Sequence, residues 1–178
     1  MKKSSKQILS LFVRYAIIVL ISFPNLYLFY AIFTPLTLYP VFFLLSLFFK
    51  ASLSENIILL QGFSIEIIQA CVAGSAYYLL FILNISVPDI KISRRIKMIL
   101  LSFAALLVVN VLRIFLLSLM VFYGSSYFEI THKLFWYILS TIFVIVIWFA
   151  EVRIFKIKQI PIYSDLKFSF QGLLKKSH

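Results

Sequence analysis

The chain has 178 residues, 63% of them hydrophobic, 18% aromatic and only 13% charged. A soluble domain carries about 45–50% apolar and about 25% charged residues, so this composition cannot cover a water-exposed globule. Disorder, a collagen repeat and a disulfide scaffold are excluded as well, the last because Cys71 is the single cysteine. Seventeen basic residues against six acidic ones give +11, which in so apolar a chain reads as membrane orientation and headgroup contact and excludes a nucleic-acid surface.

The fold class expected is an all-α integral membrane protein, a polytopic helical bundle of about 4–6 membrane segments. It forms one membrane domain over 1–178. At the N-terminus, Lys2, Lys3, Lys6 and Arg14 resemble the basic region of a signal peptide. The apolar run continues too far, however, and no small-x-small cleavage site follows, so a retained span is expected over Ile8–Tyr30, bent or ended near Pro24. No charge or histidine occurs from Tyr15 to Phe49. Within this stretch Leu36–Phe49, marked by Pro35 and Pro40, is short for a span; it reads as re-entrant or interfacial, or as a crossing paired with another short one near Asn56–Ile68.

Next, Asn56–Leu60 and Phe63–Ile68 are two β-branched runs around Gln61-Gly62. That pattern predicts a short external β-hairpin before the Cys71 helix, or else the frayed start of a longer helix. The later spans follow as Ile67–Pro88, as Met98–Phe128 interrupted only by Arg113, and as Leu134–Ala150. Residues 151–178 read as a basic cytoplasmic tail, with an interfacial strip after Pro161.

Basic residues between spans set orientation. The clusters are Lys2-Lys3-Lys6, Lys91-Arg94-Arg95-Lys97, and Arg153-Lys156-Lys158 with Lys167, Lys175 and Lys176. They predict a multi-pass protein of the cell membrane with both termini cytoplasmic. The loops Ser52–Glu66 and Tyr123–Glu129, which hold Glu55, Glu66 and Glu129, then face outward. This orientation demands an even number of crossings before Lys91, which is why Leu36–Phe49 is surplus.

Three residues are costly or reactive where they sit. An arginine in hydrocarbon costs about 2.5–3.5 kcal/mol on insertion scales, so Arg113 is either a snorkelling side chain or a functional charge. It lies fifteen residues in from Met98, roughly 22 Å of helix, in the outer half of the bilayer. Asn110, three residues earlier, shares its face and can orient the guanidinium. Cys71 lies near the outer end of its helix, with Gly74, Ser75 and Tyr78 on the same face; a lone cysteine is ordinarily an inert apolar residue. His132 follows the loop before the last span, a place where capping or interface anchoring is the common role. Taken together, the three fall in one outer region. Cysteine supplies a nucleophile, histidine an acid/base, and arginine a charge for an oxyanion. Metal ligands are too few for a metal site, and no cofactor motif appears.

The small-residue context around Cys71, the basic loop, Asn110-Val-Leu-Arg113-Ile, and His132 before a final span resemble the exosortase/archaeosortase family over about residues 55–150, in its compact archaeal form. The resemblance implies a catalytic core with Cys71 as transpeptidase nucleophile, Arg113 as its transition-state partner and His132 as general acid/base. It also implies secreted protein substrates with a C-terminal sorting signal and an amine or lipid-type acceptor. The commonest family pattern is Cys-Ser/Thr-Gly; here Cys71-Val72-Ala73-Gly74 shifts the glycine by one and leaves a hydroxyl only at Ser75. Hydrolysis by an intramembrane protease would use the same residues. A different class of function, a non-catalytic membrane assembly or transport subunit, would use Arg113 and Asn110 for helix pairing.

Overall fold

A computed structural model describes residues 3–88 and 90–157. The chain forms seven α-helices and three strands within these limits. Helix α1 is Lys3–Ser22, α2 is Tyr27–Ser46, and strands β1 (Ser52–Ser54), β2 (Ile57–Leu60) and β3 (Phe63–Glu66) follow. Next come α3 (Gln69–Val72), α4 (Gly74–Ser86), α5 (Ile92–Phe122), α6 (Phe128–Leu134) and α7 (Ser140–Ile154), the last two joined by a π-helical turn, Phe135–Leu139. Four helical segments are long and apolar enough to cross a membrane: Tyr27–Ser46, Gln69–Ser86, Ile92–Phe122 and Phe128–Ile154. The tail after Pro161, expected as an interfacial strip, lies outside the described residues.

The N-terminal third agrees with the sequence expectation at one point and departs from it at another. The break expected near Pro24 is present, where Pro24 and the left-handed residues Asn25 and Leu26 separate α1 from α2. Leu36–Ser46, expected within a separate short segment, is instead the second half of α2, which runs unbroken through Pro35 and Pro40, and residues 47–49 follow it as a turn. Prolines are tolerated inside apolar helices where neighbouring elements take up the freed backbone groups.

Contacts along α4 give the relative directions of the first two helices. Arg14 Nη1 donates to the Ser86 carbonyl at 3.2 Å and Tyr78 Oη donates to that of Ile18 at 3.1 Å, so α1 runs antiparallel to α4. Phe29 meets the Phe81 ring and Phe33 stacks on Tyr77 at 3.6 Å, so α2 runs antiparallel to α4 too. At its far end Phe49 reaches Phe122 at the end of α5. Helices α1 and α2 therefore advance in one direction and make one net passage, from the end of the bundle that holds the Lys91 loop to the end that holds the sheet.

The expected hairpin is present and is joined by a third strand. Strand order is β1-β2-β3, antiparallel throughout, with Leu60 opposite Phe63 across the Gln61-Gly62 turn. Gly62 has φ 95°, which a two-residue hairpin turn demands and a side chain resists. Strand β1 is only Ser-Leu-Ser, too short to show an alternation. The sheet lays Ile58 and Leu60 into the core with Ile67.

Beside the apolar core, polar side chains are buried and many large apolar ones are exposed. Asn84, Ser102, Asn110, Ser118 and Glu151 are buried, while Leu20, Leu100, Tyr137 and Phe149 are each more than 60% exposed. Polar side chains inside and large apolar ones outside suit a hydrocarbon surround, where internal hydrogen bonds hold helices together.

Candidate functional site

The site begins with a break in one helix. Ala73 adopts φ 60°, ψ 40°, the left-handed conformation, and separates α3 from α4. The carbonyls of Cys71 and Val72 therefore have no helical partner farther along the chain, and a buried carbonyl without a donor is costly. Helix α5 supplies the donors. Asn110 Nδ2 donates to the Cys71 carbonyl at 2.9 Å and to that of Val72 at 3.4 Å. Arg113 Nη2 donates to the same Cys71 carbonyl at 3.0 Å. The sequence places Asn110 and Arg113 on one helical face, and they do share it. They meet at a common acceptor on the backbone of the cysteine itself.

Around this joint lies a cavity of about 190 Å³. Cys71, Arg113 and His132 all line it, and Cys71 is half-buried. Its walls are the β3 edge at Phe63–Ile65, Ile114, Leu117, Ser118 and Val121 from α5, and Phe128 from α6. Residues 114, 117, 118 and 121 recur at helical spacing and present one apolar strip. The imidazole of His132 is stacked on Phe128 at 5.6 Å with the planes 4° apart, and Trp136 flanks it at 6.1 Å. These three are four residues apart on one face. The π-helical turn begins three residues after His132, and such turns reset the facing of the residues beyond them.

Arg113 borders a second cavity as well, of about 210 Å³. Ser75, Ser140, Thr141 and Trp136 line that one with Ala73 and Ala76. The structure thus divides the expected group. Cys71, Arg113 and His132 share the first cavity, Asn110 holds the cysteine backbone, and Ser75 opens onto the second cavity. The expectation that Cys71, Gly74, Ser75 and Tyr78 form one continuous face fails because the Ala73 break lies inside it.

Gly74 has a packing role. A Cβ there would stand 2.6 Å from Cε1 of Tyr30, so only a glycine lets α2 approach α4 this closely. Among the described residues no cluster of three or more metal-ligating side chains exists.

Sequence reasoning missed a polar group at the other end of the bundle, made by Asn84, Ser102 and Glu151. The sequence reading puts Glu151 in the tail, whereas it stands one turn before the end of α7 and is 1% exposed. Its signal is an acid directly after Trp148-Phe149-Ala150, without a break in helical pattern. No protein-family model, curated protein or solved structure matches the chain, so the chemistry of the site rests on its own residues.

Proposed function

We propose that the chain is a membrane-embedded cysteine transpeptidase of the exosortase/archaeosortase type. The observation that carries this reading is the convergence of Cys71, Arg113 and His132, from three separate elements, on one cavity. A thiol supplies a nucleophile, an imidazole an acid/base and a guanidinium a donor for the oxyanion, the three roles acyl transfer uses. The cavity adjoins the sheet end of α5: Arg113 is nine residues from Phe122, roughly 14 Å along the helix.

In the proposed reaction His132 takes the proton of Cys71, and Sγ attacks the scissile carbonyl carbon of the substrate. The oxyanion that forms is stabilised by Arg113, whose charge is already fixed beside Cys71 by the bond to its backbone carbonyl. Collapse breaks the C–N bond, His132 returns the proton to the departing amine, and a thioester remains on Cys71. An acceptor amine or lipid-type nucleophile then attacks the thioester, giving its proton to His132 and restoring the free thiol. Transfer to water in place of the acceptor would make the same site a protease.

The substrate would be a secreted protein whose C-terminal signal joins a short motif to an apolar helix and a basic cluster. Basic loops at the Lys91 end would lie in the cytoplasm and the sheet end outside the cell membrane. That orientation would present the thiol where an exported polypeptide emerges. The competing reading, an assembly or transport subunit, needs Asn110 and Arg113 to reach a partner helix. Both already donate to Cys71 within the chain, which favours the enzyme.

The test is processing of a co-expressed secreted protein bearing such a signal. Cys71→Ala should abolish cleavage and transfer, while membrane insertion and expression stay at the wild-type level. Cleavage that continues in the inserted Cys71→Ala protein would eliminate the mechanism.

A further inference from the structure

The polar group at the Lys91 end of the bundle is chemically separate from the cysteine site. Asn84 on α4 is fully buried, as is Ser102 on α5, and Glu151 on α7 is 1% exposed. Asn84 Nδ2 donates to Glu151 Oε2 at 3.1 Å and also contacts the Leu80 carbonyl at 3.0 Å and Ser102 Oγ at 3.4 Å. Ser102 Oγ in turn lies 3.1 Å from the carbonyls of Met98 and Ile99. Two atoms of this group are buried without a partner, Glu151 Oε1 and Asn84 Oδ1. If Glu151 were ionised, both would be acceptors facing no donor, and buried acceptors in that state are costly. Reversing the Asn84 amide does not help, because it would set its oxygen against the Leu80 carbonyl and Glu151 Oε2, both acceptors in the ionised state, and draw the Ser102 hydroxyl proton away from the Met98 and Ile99 carbonyls.

The cations near this group are engaged elsewhere. Arg95 donates to the carbonyls of Asn84, Ile85 and Val87, capping the end of α4. Arg94 donates to the Phe155 carbonyl and Arg14 to that of Ser86. On α7 itself, Arg153 is exposed. Among the described residues no ion pair to Glu151 is formed.

From this hydrogen-bond pattern we infer that Glu151 is a proton-holding site, a neutral carboxylic acid paired in a ring with the Asn84 amide. A single proton on Oε1 converts one orphan acceptor into a donor for the other. In the inferred ring Nδ2–H donates to Oε2, as observed, and the added Oε1–H would donate to Oδ1, so that each unpartnered atom satisfies the other. The pair clasps α7 to α4 beside α5. A carboxylate would instead require a cation in the same place, either a side chain or a monovalent ion held by Oε1 and Oδ1.

Isotope-edited infrared spectroscopy of the full chain in lipid decides between these. Glutamate occurs at 55, 66, 129 and 151; the first three are exposed and are replaced by glutamine, leaving Glu151 as the single glutamate to carry a 13C-carboxyl label. At neutral pH the labelled protein should show the carbonyl stretch of a carboxylic acid, lost in Glu151→Gln and moved to higher frequency in Asn84→Leu. Should Glu151→Gln fail to fold, the label shift in the parent protein identifies the band alone. Carboxylate stretches in place of the acid band would overturn the inference, and their displacement on exchanging sodium for potassium would assign the site to a cation.

Discussion

Replacing Gly74 by alanine introduces the smallest side chain that can report on how closely α2 and α4 approach. The new Cβ would lie 2.6 Å from Cε1, 2.7 Å from Cζ and 3.1 Å from Cδ1 of Tyr30, whereas ordinary contact starts at 3.4 Å. The nearest ring atom must therefore retreat by about 0.8 Å, the difference between 3.4 and 2.6 Å. Tyr30 is half-buried against the core, so moving its ring disturbs the packing around it unless the two helices separate. Overpacking of this kind costs about 1–3 kcal/mol, or roughly 5- to 150-fold in the folded-to-unfolded ratio. The assay is reversible unfolding in mixed detergent micelles, followed by tryptophan fluorescence, for Gly74→Ala, Tyr30→Ala and the double variant. Because the clash involves the ring alone, Gly74→Ala should cost no more than about 0.5 kcal/mol in the Tyr30→Ala background, leaving a coupling of about 1 kcal/mol or more. A Gly74→Ala penalty of equal size with and without the Tyr30 ring would refute the close-approach argument.

Two further substitutions probe the joint between α3 and α4. Ala73 stands in left-handed geometry, which disfavours a residue with a Cβ by roughly 1–2 kcal/mol. Ala73→Gly should therefore raise the unfolding midpoint in the same assay, since the relief exceeds the entropy that glycine adds to the unfolded chain; a lowered midpoint would mean that the break is held by something other than local geometry. Asn110→Leu removes the donor to the Val72 carbonyl and one of the two donors to that of Cys71 and should destabilise by about 1–3 kcal/mol, the cost of leaving a buried acceptor unpaired. It should also change the rate at which an impermeant maleimide labels Cys71, because the cysteine backbone loses one of its two anchors. An unaltered labelling rate would show that Arg113 alone fixes the thiol.

Legibility differed by element, for physical reasons. Apolar runs ending in basic or acidic loops located the later spans, because a hydrocarbon core demands about twenty consecutive apolar residues and a helix on a soluble core does not. Gln61-Gly62 between β-branched runs located the hairpin. Pro35 and Pro40 misled, since a helix within an apolar surround runs through prolines that would end one in water. The break at Ala73 was invisible: neither Ala-Cys-Val-Ala-Gly nor its hydropathy signals a left-handed residue, and the glycine that attracts notice stands one position later for a packing reason. Cys71, Arg113 and His132 were legible through their rarity and common depth. Glu151 was missed because a charge near the end of an apolar run looks like the start of a tail, and its partner Asn84 lies on a helix 67 residues away.

The Ala73 break also bears on why the site needs so few polar residues. In a continuous helix the Cys71 carbonyl would accept the amide of Ser75, and Arg113 would have no backbone acceptor there. Breaking the helix frees that carbonyl, and the guanidinium that satisfies it is thereby held within one peptide unit of the thiol. The same contact that makes the break tolerable thus sets the charge beside the proposed nucleophile, without an acidic side chain to neutralise it. A carboxylate partner would hold Arg113 more tightly, but it would cancel the positive charge that an oxyanion requires. A carbonyl is the better anchor for this purpose because it orients the guanidinium and leaves its full charge available. Arg113 Nε remains buried without a partner, so the guanidinium retains donor capacity beyond the one bond that positions it.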